Sequence, residues 1–262
     1  MDDHTVAGRV AAVLEAVAGL GDAATLAALT RSTGIPKPTV RRIAADLVAR
    51  HLLERCDNGY RLGQRLLELG LRAAEQHGLR RAATPYVQDL FARTGEVVWI
   101  SAVTETTFVL VDSAFGTDWA KEFRRRGWPT VIRSTVFLAT AAGRLLLADR
   151  PDLAGWLQSR PLPPPTRYTV TSWPQVAAEL DLIRETGVAI EHEQAMLGYS
   201  CIASGLRSPD GSLIGTIGIT GRTGRFAAKR LTRPLLAAAS DIACILATER
   251  GSPHAHSQSP LR

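Results

Sequence analysis

The chain has 262 residues, 45% of them apolar, and a formal net charge of +6. That is room for two domains with ordinary hydrophobic cores, and it excludes a disordered or fibrous chain. No run of about 18 apolar residues offers a membrane span, and three scattered cysteines, Cys56, Cys201 and Cys244, suit neither a disulfide framework nor a zinc cluster.

The opening MDDHTVAGRV has no apolar signal core, so the expectation is a cytoplasmic protein without a cofactor. Val6 to Leu20 reads as a helix with Val6, Val10, Val13, Leu14, Val17 and Leu20 on one side and Arg9 on the other. Thr25 to Arg50 reads as two further helices. The first carries Leu26 and Leu29 inward and stops at Gly34, a residue suited to a left-handed helix end. Pro38 then sits in the first turn of the second, where no N–H is missed. In that second helix Val40, Ile43, Ala44, Leu47 and Val48 form the apolar stripe, and Lys37, Thr39, Arg41, Arg42, Ala45, Ala49 and Arg50 form the opposite face.

A helix buried on one side and basic toward its N-terminal end is what a DNA major groove accepts. The segment that follows strengthens this reading. His51 to Cys56 alternates like a strand, Asp57-Asn58-Gly59 is a hairpin turn and Tyr60-Arg61-Leu62 returns. A hairpin directly after the second helix is the wing of a winged helix. From Arg31 to Arg65 there are eight basic residues against three acidic ones, so most of the chain's excess charge lies here. Binding to double-stranded DNA follows as the expectation.

Gly63 to Leu79 reads as a helix whose Leu66, Leu67, Leu69, Gly70 and Leu71 are more apolar than an isolated linker needs. A partner subunit or the chain's own C-terminal half would cover them. From Thr84 the pattern is mixed: Thr84-Pro85 caps a helix ending at Gly95, and strands follow at Val97–Val103 and Thr107–Ser113. Phe115 to Thr130 is loop-rich, with Trp119, Trp128 and the run Arg124-Arg125-Arg126. Val136 to Asp149 is a helix, a short one follows from Asp152, and Ser172-x-x-Gln175 is a capping box opening a helix that ends at Gly187. Strands near Val188–Glu193, Ser200–Arg207 and Ser212–Thr220 precede a last helix from Ala227 to Glu249. The expected architecture is α+β. Residues 1–63 make a winged helix-turn-helix, 64–83 a linker helix, 84–250 an antiparallel sheet flanked by helices, and 251–262 a tail with nothing to bury.

Several stretches resemble the IclR-type bacterial transcription regulators. Gly34-Ile35-Pro36-Lys37-x-Thr39-Val40-x-Arg42 and Gly59-Tyr60-Arg61-Leu62-Gly63 stand at that family's turn, recognition helix and wing. Ala139-Thr140-Ala141-Ala142-Gly143-Arg144 and Gly198-Tyr199-Ser200-Cys201-Ile202-Ala203 resemble its second-domain motifs, and the likeness runs from Arg9 to Glu249. The resemblance implies a dimerising linker helix and a GAF-like domain that binds a small organic effector, often a carboxylic acid or an aromatic compound. It further implies a repressor acting on a palindromic operator as a homodimer or homotetramer. Three positions depart from the pattern: Pro38 in place of Ser, Leu138 in place of His, and Ser204-Gly205 in place of Ala-Pro.

On DNA, Arg41 or Arg42 would read a base edge while Lys37, Arg61 and Arg9 position the backbone, with Thr39 on a phosphate or a thymine methyl. Strand alternation and the resemblance together nominate Trp99, Ser101, Asp112, Phe123, Thr140, Glu193, Cys201 and Ile219 as effector-pocket residues. The plainer alternative makes Trp99, Phe123 and Ile219 simple core. No catalytic residue is nominated. Cys201 has no His or Asp partner by motif, His192-Glu193 lacks the second His of His-Glu-x-x-His, and residues 198–202 miss Gly-x-Ser-x-Gly at the last position. Two rival functions stay open: a second domain that only assembles the protein, and a small hydrolase.

Overall fold

A computed structural model describes residues 5–21, 24–104, 107–127, 130–160 and 162–251. The chain divides into two compact units at Gln76/His77.

In the first unit, helices α1 (Val6–Leu20), α2 (Leu26–Thr33) and α3 (Lys37–Ala49) precede a two-stranded antiparallel hairpin of β1 (Leu53–Cys56) and β2 (Gly59–Leu62). Each of the first two helices starts on a threonine. The hydroxyl of Thr5 accepts from the Gly8 N–H at 2.9 Å, and that of Thr25 from Ala28 at 3.1 Å, each satisfying a donor the helix leaves open. Gly34 closes α2 in the left-handed conformation, φ 68°. The core collects Val13, Val17, Leu29, Val40, Ala44, Leu47, Leu53 and Tyr60; Val6, expected on the inner stripe, is exposed in the first turn of α1. The hairpin is stitched to the helices where the Tyr60 N–H donates to the Ala24 carbonyl at 3.1 Å. Gly59 permits this approach, since a Cβ there would lie closer than 3.0 Å to the Ala24 carbonyl. Helix α4 (Gln64–His77) follows and has no buried residue.

The second unit is a six-stranded antiparallel sheet in the order β5-β4-β3-β8-β7-β6. Its strands are β3 (Val97–Val103), β4 (Thr107–Ala114), β5 (Val131–Arg133), β6 (Val188–His192), β7 (Tyr199–Arg207) and β8 (Leu213–Arg222). Helices α5 (Leu79–Thr94) and α10 (Ala228–Gly251) cover one face, packing Leu90 and Leu235 on Val98, Ile100, Ile202, Ile217 and Ile219. Helices α6 (Thr117–Arg126), α7 (Ala141–Asp149), α8 (Pro151–Gln158) and α9 (Trp173–Thr186) lie toward the other, around Val97, Trp99, Cys201 and Ala203. The period of two decides membership: along β3, Val98 and Ile100 go to one core while Val97 and Trp99 go to the other. This is the expected α+β architecture.

Several boundaries differ from the sequence reading. Helix α5 begins at Leu79, behind Gly78 at φ 69°, and runs through Pro85. The Thr84 hydroxyl bonds back to the Arg80 carbonyl at 2.8 Å, so it is inside the helix and caps nothing. The supposed loop after Phe115 contains α6, which is held by Lys121–Asp118 and Arg125–Glu122 pairs one turn apart and has Asp118 in its first turn. Ser134–Ala139 is a separate 3-10 turn before α7, and Ser172 precedes α9 without a side-chain capping bond. Helix α10 is long and apolar enough by composition to cross a membrane, yet it lays Leu235, Ala239, Ile242 and Leu246 on the sheet. The expected tail beyond Gly251, and Trp128, lie outside the described residues.

Candidate functional site

The first unit presents α3. Pro38, Arg41, Arg42, Ala45 and Ala49 are exposed, opposite the buried Val40, Ala44 and Leu47. Two alanines between the arginine turns and the helix end leave the backbone free to approach a groove floor. Lys37, Arg41 and Arg42 have no acidic partner among the described residues. Their neighbours do: Arg50 bonds Asp46 at 3.1 Å, and Arg65 bonds Glu68 at 2.6 Å. Thr39 and Arg9 are half-buried. Arg61 is placed on the wing as expected, but it is already engaged. It stands opposite Glu54 across the hairpin and donates to it from Nε at 2.9 Å and Nη2 at 2.7 Å. That bonding holds the Glu54 carboxyl below its ordinary value.

The second unit holds a cavity of about 110 Å³ on the α6–α7 side of the sheet. A water needs only about 10–15 Å³ by this kind of measure, so the space suits a small organic molecule. Its floor is the inward side of β3, β8, β7 and β6: Ser101, Trp99, Thr220, Cys201 and Glu191. Helix α6 supplies Trp119, Glu122 and Phe123; Phe108, Leu110, Thr130 and Ile132 close one end, and Ala195, Met196 and Tyr199 the other. Thr140, Ala141 and Ala142 bring the start of α7 to the wall. The Thr140 hydroxyl caps that helix, accepting from Gly143 at 3.1 Å.

Polar contacts fix the floor. The Trp99 indole donates to Thr220 Oγ1 at 3.0 Å, and Thr220 Oγ1 donates to the Cys201 sulfur at 3.4 Å. Gly218 lies under the indole, where any Cβ would collide with the ring. Burial pushes the Cys201 thiol far up, so it is an inert wall residue and not a nucleophile. Behind the wall Arg144, 1% exposed, bonds the Leu138 carbonyl at 2.8 Å, Glu179 and Gln194. Burial pushes the Glu191 carboxyl up to about 7, against the pull of the Gln194 and Ala195 N–H groups and of Arg144.

A carboxyl raised in this way destabilises the fold where it must ionise. The unliganded second unit is expected to lose stability as pH rises from about 4.5 through 7, by at most ~3 kcal/mol once Glu191 is charged. Thermal melts of wild type and Glu191→Gln between pH 5 and 8 check this: the wild-type decline should be steeper, and parallel profiles would refute it.

Of the eight nominated pocket residues, Trp99, Ser101, Phe123, Thr140 and Cys201 line the cavity. Three do not. Ile219 pairs with Val98 and Ile202 and shares their face under α5 and α10; Thr220, one residue on, is the inward residue. Asp112 pairs with Ile100 on that same side and accepts from the Thr84 hydroxyl of α5 at 2.6 Å. Glu193 stands just past the end of β6 with φ 54°, a turn that points its carboxylate at the Gly198 N–H, 2.5 Å away. Glu191, two residues earlier and still in the strand, faces the cavity instead. Glu191, Thr220 and Tyr199 were not nominated, although alternation from Cys201 would have found Tyr199 and from Trp99 through its partner strand Thr220.

Comparison with known proteins agrees with both halves. Residues 6–57 match the IclR helix-turn-helix domain and residues 71–244 the C-terminal domain of bacterial IclR transcriptional regulators. The glycerol operon regulatory protein of Streptomyces coelicolor is 28% identical over 247 residues, 93% of this chain and 95% of that protein. The DNA-binding transcriptional repressor YiaJ of Escherichia coli is 26% identical over 85% of this chain and 81% of its own. An IclR homologue from Microbacterium hydrocarbonoxydans, solved with 4-hydroxybenzoate, superposes with a TM-score of 0.76 at 24% identity, covering 95% of this chain and 100% of that one. With a DNA-binding helix-turn-helix in one unit and a family-wide match across the other, this chain belongs to the IclR family of bacterial transcriptional regulators, which are not enzymes.

Proposed function

We propose that the protein is a repressor that binds a palindromic operator as a dimer or tetramer and responds to a small organic molecule held in the second unit's cavity. The observation that carries the effector half is the cavity itself. It is an aromatic space whose floor holds two almost fully buried polar groups, Ser101 at 2% and Glu191 at 3% exposure. A cavity built only to be core has no use for them. The solved homologue with 4-hydroxybenzoate and the repressor YiaJ support the effector and the sign of regulation by analogy.

Assembly rests on α4. Leu67 and Leu71, one turn apart, are 63% and 46% exposed, and Gly70 and Ala74 complete their stripe. A second copy of this helix would bury that face, and two wings would then meet two half-sites. An effector shifts DNA affinity only by binding one arrangement of the two wings better than the other.

Selection of genomic fragments, repeated with a metabolite panel and with Trp99 and Trp119 fluorescence as the occupancy readout, tests both halves. The expected result is a bound fragment set with inverted repeats, released by a compound that also changes the fluorescence. The variant Leu67→Glu/Leu71→Glu should run as a monomer and lose those fragments. A fragment set indifferent to every compound that fills the cavity would remove the effector.

A further inference from the structure

The cavity's chemistry goes further than "small organic molecule". Among the described residues its lining contains two carboxylates, Glu122 and Glu191, and no lysine, arginine or histidine. The two acids are not equivalent. Glu122 bonds Arg125 at 2.8 and 3.0 Å and accepts from the Tyr199 hydroxyl at 2.8 Å, so its charge is met within the protein.

Glu191 is met only in part. Its Oε2 accepts from the Gln194 N–H at 2.8 Å and lies 3.5 Å from that of Ala195, while Oε1 has no hydrogen-bond partner among the described residues. Arg144, the buried arginine nearby among the described residues, spends its guanidinium on Leu138, Glu179 and Gln194. Above about pH 7, where Glu191 is ionised, Arg144, Glu179 and Glu191 together leave one negative charge, and it faces the cavity from a residue only 3% exposed.

Resting on the reading of this cavity as an effector site, we propose that its ligand is an organic amine. The ammonium group meets the open oxygen of Glu191, and the apolar body lies against Trp99, Trp119 and Phe123. A hydroxyl would satisfy the oxygen but leave the charge; a carboxylate would add a second negative charge in a dry aromatic box. Aromatic faces favour a cation as well.

Three ring-matched probes test this on the full-length protein: benzylamine, benzyl alcohol and benzoate, titrated by tryptophan fluorescence and calorimetry. Benzylamine should bind about tenfold or more tighter than either of the others, and Glu191→Gln should remove about tenfold of that affinity. Benzyl alcohol should lose clearly less affinity in the variant than benzylamine does, and its continued binding shows that the variant's cavity is intact. Benzoate binding as well as benzylamine, or an unchanged amine affinity in Glu191→Gln, would overturn the assignment while leaving the effector cavity standing. Failure of all three probes at millimolar concentration would overturn the cavity as a ligand site and the amine with it.

Discussion

Replacing Arg41 and Arg42 together by alanine should lower operator affinity by at least about a hundredfold and leave the melting temperature unchanged. Both guanidinium groups are exposed and without an acidic partner among the described residues, so the fold loses nothing when they go. The expectation is that one of them reads a base edge, worth about 1–3 kcal/mol of discrimination, and that the other adds phosphate contact and its share of the salt dependence. Single variants separate the roles: the base reader relaxes sequence preference, while the phosphate contact weakens all sequences alike and flattens the salt slope. Arg61→Ala should cost less than either, because Glu54 holds that side chain on the wing with two contacts under 3 Å. Competition gel shifts with the selected fragment and a scrambled duplex measure all four. An Arg41/Arg42 variant that still discriminates between the two duplexes would place recognition elsewhere.

The largest stability effect is expected from Gly143→Ala. Gly143 is the third residue of α7, and a Cβ there would lie closer than 3.0 Å to three backbone atoms of Phe137. Backbone cannot rotate away as a side-chain tip can. Either α7 or the 3-10 turn before it must move, and with it Phe137 and Ala142 from the core. Overpacking of this kind costs roughly 1–3 kcal/mol and occasionally more, and backbone crowding puts this position at the upper end. The expected loss is about 6–10 °C in the melting of the second unit, with the first unit's DNA-binding surface untouched. Calorimetry on the full chain shows which transition shifts. An unchanged second transition would mean that α7 and the turn yield freely.

The sequence carried most of the fold because its signals were local. Gly34 and the Asp57-Asn58-Gly59 turn each act on the few residues around them, and the structure uses them as read; the capping roles of Thr5 and Thr25 are equally local. The failures were also local in origin but decided at a distance. Pro85 reads as a helix start; packing of Leu79, Ala82 and Ala83 beneath the sheet extends α5 back past it. Alternation correctly paired Trp99 with Ser101 and, on β7, placed Cys201 inward. It failed at Glu193 because β6 ends one residue earlier, and at Ile219 because no local feature says which face of β8 a helix will cover. Helix α6 escaped notice because, among the described residues, its inward apolar side chains are Trp119 and Phe123, too few for a periodic stripe. Glu191 was hidden for a different reason. A carboxylate in a strand is ordinarily a solvated residue, and only the assembled sheet shows that this one is enclosed.

One atom in the cavity wall serves two masters. The hydroxyl oxygen of Thr140 closes the open end of α7 through Gly143, and the same residue lines the cavity. Any occupant that hydrogen-bonds there perturbs the start of a helix whose every residue but the last is buried. If the cavity takes an effector as proposed, competition for this oxygen would link occupancy to the packing of α7.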